Sequence, residues 1–194
     1  MPRQNGDMRR VVMLVLISLA VVACGSDSKT STTQAVGSSS GGTAAALPGE
    51  PAGTKTYTNL PRNHVDTPVE YPQTPPVGGN HSPVWQDCQY YDTSVPNERA
   101  VHSLEHGAVW ITYSPDTSAA DREVLKALAA TGDHILVSEY KGLPSPIVAT
   151  AWGKQLLLPS VNDPRLQQFV DFFQSGPQTP ELGVTCRNST NATT

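Results

Sequence analysis

The chain has little of what marks the common functional classes. Among its 194 residues cysteine occurs three times, aromatic residues make up 6% and charged residues 15%. The cysteines stand at positions 24, 88 and 186, so no C-x-x-C spacing supports a thiolate metal site. Lys and Arg number 13 against 17 Asp and Glu, a formal net charge of −4. No basic patch is visible, which excludes nucleic acid as a partner. A phosphate-cradling glycine loop and a G-x-S-x-G nucleophile elbow are also missing. The long apolar run, Val11 to Val22, is too short to span a bilayer comfortably.

That run makes sense as part of a leader. Arg3, Arg9 and Arg10 form a basic flank before it, and Val21-Val22-Ala23-Cys24 follows. A small residue ahead of cysteine resembles the bacterial lipobox. Residues 1–23 are then a lipoprotein signal peptide and Cys24 is the lipidated N-terminus, anchored by several acyl chains at about 0.8 kcal/mol per buried methylene. The alternative is ordinary secretion with Cys24 incidental. Residues 24–54 carry Ser, Thr, Gly and Ala with almost no large apolar side chain, so burial cannot offset their ordering entropy. They read as a tether with an r.m.s. reach of roughly 30 Å. The expected location is the extracytoplasmic face of the bacterial cell membrane, with the membrane itself a partner through the lipid anchor. Residues 187–194 form a polar tail whose two N-x-S/T sequons mean little beside a lipobox.

Residues 55–186 are the right size for a single globular domain. Proline is abundant at 17 and concentrates between Pro61 and Pro96, which predicts an extended, irregular wrap. Regular structure follows it. Ala108 to Tyr113 reads as a strand ended by Pro115. Ser118 to Ala130 reads as a helix capped by Ser118 and Asp121, with Val124, Leu125 and Leu128 on one face and Gly132 stopping it. His134 to Glu139 and Ile147 to Trp152 read as two further strands. Asp163-Pro164 opens a second helix, with Leu166, Phe169, Val170 and Phe173 at i, i+3, i+4 and i+7. The fold class is α+β: a small, mainly antiparallel sheet with two helices on one face, preceded by the proline-rich wrap. Once Cys24 is lipidated, Cys88 and Cys186 are an even pair outside the cytoplasm, most simply a disulfide; a soft metal ligand is the competing reading.

Four of the five histidines precede residue 107: His64, His81, His102 and His106. His102-Ser-Leu-Glu-His106 matches the H-x-x-E-H pattern of some zinc proteases. If Asn97 caps a short helix ending at Gly107, His102, Glu105 and His106 share one face, and two imidazoles one turn apart can chelate an ion. The glycines of Pro75-Pro-Val-Gly-Gly-Asn-His81 let a third imidazole approach closely. The candidate metal ligands are therefore His81, His102, His106, His64 and Glu105, and the ion is zinc or copper. The competing reading is structural: histidines that hydrogen-bond the irregular backbone of the wrap. A peptidase is disfavoured, because those enzymes need a long helix and a distal third ligand, whereas Gly107 stops this one at once and Glu181 lies in a loop.

Pro75 to His81, Trp85, Cys88-Gln-Tyr-Tyr91, Val101-His-Ser-Leu-Glu-His-Gly-Ala-Val109 and Ala151-Trp-Gly153 resemble the bacterial family called domain of unknown function 3105. The likeness runs from about Lys55 to Glu181. The family's usual segment is similar to P-P-T-S-G-x-H, from which Val77-Gly78-Gly79 departs. Members are secreted, lipid-anchored or membrane-tethered; the resemblance implies no activity, and no catalytic residue is assigned. Three functions stay open. The first is an envelope lipoprotein that binds a transition metal as carrier, sensor or scavenger. The second is a scaffold that presents Trp85, Tyr90 and Tyr91 to an envelope protein or wall polymer. The third is a metal-dependent hydrolase with Glu105 as base.

Overall fold

The structure, a computed structural model, describes residues 48–194. The leader, Cys24 and the tether up to residue 47 lie outside the described residues. The elements in chain order are β1 (Lys55–Thr56), α1 (Asn97–Glu105), β2 (Val109–Tyr113), α2 (Ala119–Ala129), β3 (Ile135–Glu139), β4 (Ile147–Ala151), β5 (Lys154–Leu158) and α3 (Pro164–Phe173). The strands form one sheet in the order β1-β5-β4-β2-β3, antiparallel except for the β2–β3 pair, which is parallel across α2. The α+β class and the mainly antiparallel sheet are as expected. No helix among the described residues is long and apolar enough to cross a membrane.

Strand alternation sorts the core into two clusters. Val109, Ile111 and Tyr113 of β2, with Ile135 and Val137 of β3, face α2 and α3 and pack with Leu125, Leu166, Phe169, Val170 and Phe173. Trp110 and Leu136 point the other way, into a cluster with Val101 and Leu104 of α1, Tyr91, Val95, Trp152, Cys88 and Cys186. Two helices thus cover one face, and α1 with the proline-rich wrap covers the other. Phe169 and Phe173 are fully buried, each worth roughly 1.5–3 kcal/mol of burial. The sulfurs of Cys88 and Cys186 stand at disulfide distance, with their Cα atoms 5.4 Å apart.

Several details depart from expectation. β5 was not anticipated: Lys-Gln-Leu-Leu-Leu is a weak strand former, and a ladder to β4 through the Trp152-Gly153 turn imposes the conformation. The N-cap of α1 is Pro96, without a side-chain cap bond, and Asn97 is already helical. On α2 the buried residues are Leu125 and Ala129, with Leu128 packed against the core, while Val124 is exposed. The folded part begins before Lys55. Pro51 is buried, and Glu50 meets Lys154 at 3.0 Å. The polar tail also docks, since Ser189 Oγ donates to Trp85 O and Asp87 N to Thr190 O.

Candidate functional site

Two backbone devices bring the histidines together. α1 ends in a Schellman motif: Gly107 N donates to Leu104 O and Ala108 N to Ser103 O, with Gly107 at φ 96°. This turn fixes the last residues of α1, including His102 and Glu105, above β2. The second device is the turn before His81. Gly78 and Gly79 adopt φ 143° and 124°. A Cβ on Gly78 would lie 2.8 Å from Leu60 Cδ1 and 3.2 Å from the Trp152 ring, so only glycine seats the turn on Trp152. His64 and His81 are paired through the backbone, with His81 N donating to Asn63 O and Val65 N to His81 O.

His64, His81, His102 and Glu105 each offer a ligand atom, and these atoms lie within 4.8 Å of one another. His81 is fully buried, and His102 and Glu105 are 4% and 3% exposed. The His64 side chain is 47% exposed. The His64 ring stacks on that of His102 with centroids 4.7 Å apart. A tetrahedral ion with bonds of about 2.0 Å holds its ligands about 3.3 Å apart, so small side-chain movements would close the set around an ion.

The hydrogen bonds orient the rings. His81 Nδ1 donates to Gly79 O at 2.8 Å, and His102 Nδ1 donates to Ser82 O at 2.7 Å. In a neutral ring each such bond leaves the lone pair on Nε2, the outer-shell arrangement by which proteins orient metal-binding histidines, although in His81 that nitrogen is hydrogen-bonded to Glu105. Burial, reinforced by the neighbouring His106, His81 and His64 rings, takes the His102 pKa down to about 4. His102 is then unprotonated at neutral pH, as a ligand must be. His81 Nε2 lies 2.9 Å from Glu105 Oε2, and His64 Nε2 lies 3.7 Å from the same oxygen.

His106, expected beside His102 in the ligand set, is not among the four converging residues. Its ring lies 4.6 Å from that of His102, but Nδ1 donates to Thr185 O and Nε2 faces Glu181 Oε2 at 3.5 Å. Burial also holds its pKa below the ordinary histidine value. The reason is the Pro177–Cys186 loop, drawn over the end of α1 by the Glu181 N to Glu105 O bond and by the cysteine pair. The H-x-x-E-H pattern therefore supplies its first histidine and its glutamate to the cluster, while the second histidine holds the loop. The carbonyls of Gly79 and Ser82 and the Trp152 ring, 5.9 Å from His81, complete the surroundings. Backbone acceptors have no sequence signature; Trp152 could have been found through the Ala-Trp-Gly motif. The aromatics expected to face a partner differ in exposure, Trp85 and Tyr90 being partly exposed. Tyr91 is buried, Tyr90 packs on the core, and Trp85 is half-buried against His106 at 4.9 Å.

The fold and the cluster define an α+β domain that could hold a metal ion between a helix and an irregular wrap. The chain belongs to the family described as protein of unknown function DUF3105, whose model matches residues 64–188, a span that includes all four converging residues and both paired cysteines. Neither the curated proteins nor the solved structures searched gave a match.

Proposed function

We propose that this chain is an envelope protein, lipid-anchored through Cys24, that binds one divalent transition-metal ion, zinc or copper, through His64, His81, His102 and Glu105. The role is that of a carrier, sensor or scavenger. One observation carries the reading. Ligand atoms of His64, His81, His102 and Glu105 lie within 4.8 Å of one another, three of the four side chains are buried, and His81 Nε2 is hydrogen-bonded to Glu105 Oε2 at 2.9 Å. A cation at the centre of this set would take the place of that hydrogen bond, and imidazole nitrogens with a carboxylate are the donors a borderline-soft metal takes. Glu105 stands among these donors rather than apart from them, which favours a ligand over the general base of a hydrolase.

A proton in the same place gives the second reading, a buried His81–Glu105 ion pair that pins the wrap in a scaffold protein. Metal content and calorimetry on the full chain, produced without a His-tag, separate the two. The expected result is one ion per chain at neutral pH with micromolar or tighter affinity, accompanied by proton release. His102→Ala should weaken binding by at least about 100-fold, and His134→Ala, whose ring bonds Val184 O outside the cluster, should leave it near the wild-type value. Absence of binding at micromolar metal, or equal affinity in the two variants, sinks the metal reading and leaves the ion pair.

A further inference from the structure

The four ligands are not equally held. His81, His102 and Glu105 are 0%, 4% and 3% exposed, and each of these histidines is locked by an Nδ1 hydrogen bond to backbone. Glu105 projects from the last residue of α1, whose end is fixed by the Gly107 turn. His64 differs on both counts. Its side chain is 47% exposed, and its place rests on main-chain pairing with His81, on ring contacts with His102 and His81 at 4.7 and 5.0 Å, and on a 3.7 Å approach of Nε2 to Glu105 Oε2, with no hydrogen bond from its ring to backbone among the described residues. Rotation about its side-chain bonds would uncover the cluster while leaving the Asn63–Val65 backbone bonds intact.

We propose that His64 is the exchangeable ligand of this site, the one that swings away to admit and release the ion. The inference rests on the metal reading above and deepens it. A site that keeps three buried ligands and yields one exposed imidazole suits transfer rather than permanent storage, because the fourth position can be opened from solvent while three ligands still hold the ion. The step is a ligand substitution without redox change: an incoming imidazole-type donor would form a bond to the metal as the His64 Nε2–metal bond breaks and the freed ring moves to solvent, and further donors would then displace His81, His102 and Glu105 in turn as the ion leaves. The donor class follows from the leaving group, which sets the charge and softness that the vacated position accepts.

The test uses the full chain loaded with Co²⁺, whose visible absorption reports coordination, and a competing chelator. Wild type should bind one ion and lose it at a rate that rises with chelator concentration, as associative exchange requires. His64→Ala should still bind one ion, at least about tenfold more weakly and with at least about tenfold faster loss. Its absorption should differ from wild type, and free imidazole should restore it. His102→Ala should lose the ion. Three outcomes overturn the inference alone: wild-type loss independent of chelator concentration, which needs no variant to fold; a His64→Ala protein identical to wild type in affinity, rate and spectrum; or a folded His64→Ala protein as devoid of metal as His102→Ala. A wild-type chain that binds no Co²⁺, Zn²⁺ or Cu²⁺ overturns the metal reading and this inference together.

Discussion

On one face of the sheet, α2 and α3 bury Leu125, Leu166, Phe169, Val170 and Phe173 against aliphatic strand residues. On the other, α1 shares its cover with an irregular segment, and the buried set includes His81, Gln86, His102, Ser103, Glu105 and His106. The first face is a hydrophobic core in which any residue of suitable size and shape would serve, and its stability scales with apolar area. The second holds polar groups that must each find a partner or be paid for in desolvation. Gly79 O, Ser82 O and Thr185 O meet the three buried imidazoles. The helical face is thus largely apolar, whereas the wrapped face adds the buried histidines and glutamate to an apolar cluster of its own, on a backbone that needs other restraints.

The strongest of those restraints is covalent. Cys88 and Cys186, whose sulfurs stand at disulfide distance, are 98 residues apart, and a bond between them is worth about 4–5 kcal/mol in the chain-entropy model. Cys88 N also donates to Cys186 O, so the pair joins the wrap to the loop that carries Glu181 and Thr185. Reduction should lower the free energy of unfolding by about that amount, measured by urea denaturation with and without reductant. An unchanged midpoint would mean that the wrapped face holds itself as the helical face does, and the contrast drawn above would be lost.

A second break is chemical. In metal-free protein the folded-state pKa of His102 is about 4, below the ordinary 6.5. The unfolded chain therefore binds more protons between those values, and stability rises with pH across the window. The contribution is present in full above about pH 6.5, is lost as the pH falls toward 4, and amounts to roughly 3 kcal/mol at most. Denaturation midpoints at pH 7 and pH 4.5 should show it, and His102→Gln should flatten the slope. The titratable groups around this ring are His64, His81, His106 and Glu105. A slope that survives the substitution would assign the acid sensitivity elsewhere.

The two faces also differ in how far sequence alone describes them. Leu166, Phe169, Val170 and Phe173 announce α3 through their spacing, and Asp163-Pro164 marks its start; the structure agrees, with Asp163 accepting from Arg165 N. On the wrapped face, residue type pointed to His64, His81, His102 and Glu105, which the structure brings together. Direction was not legible. His106 sits one turn from His102, yet a loop some 80 residues later turns its ring toward Thr185 O, a long-range contact that no local pattern encodes. β5 has no local strand signature for a related reason: its residues prefer helix, and the β4 ladder overrules them.

The smallest expected effects lie at helix ends, where the faces again part. Gly107 closes α1 with φ 96°, and a Cβ there would meet Ser175 Cα and Thr179 Oγ1, both at 3.0 Å. Gly107→Ala combines a disfavoured backbone angle with a backbone contact that cannot yield cheaply, so a loss of about 2 kcal/mol is expected. Because Glu105 O accepts from Glu181 N beside this turn, metal affinity should fall as well. Ser118 caps α2 by accepting from Asp121 N at 3.1 Å and donating to Asp121 Oδ2 at 2.9 Å. Ser118→Ala removes that cap at an exposed site and should cost about 1 kcal/mol. Its metal affinity should not change, since α2 packs on the opposite side of the sheet from the cluster. Urea midpoints and metal titrations on both variants decide the matter: an affinity loss in Ser118→Ala equal to that in Gly107→Ala would show that the site responds to global stability, and the separation of the two faces would fail.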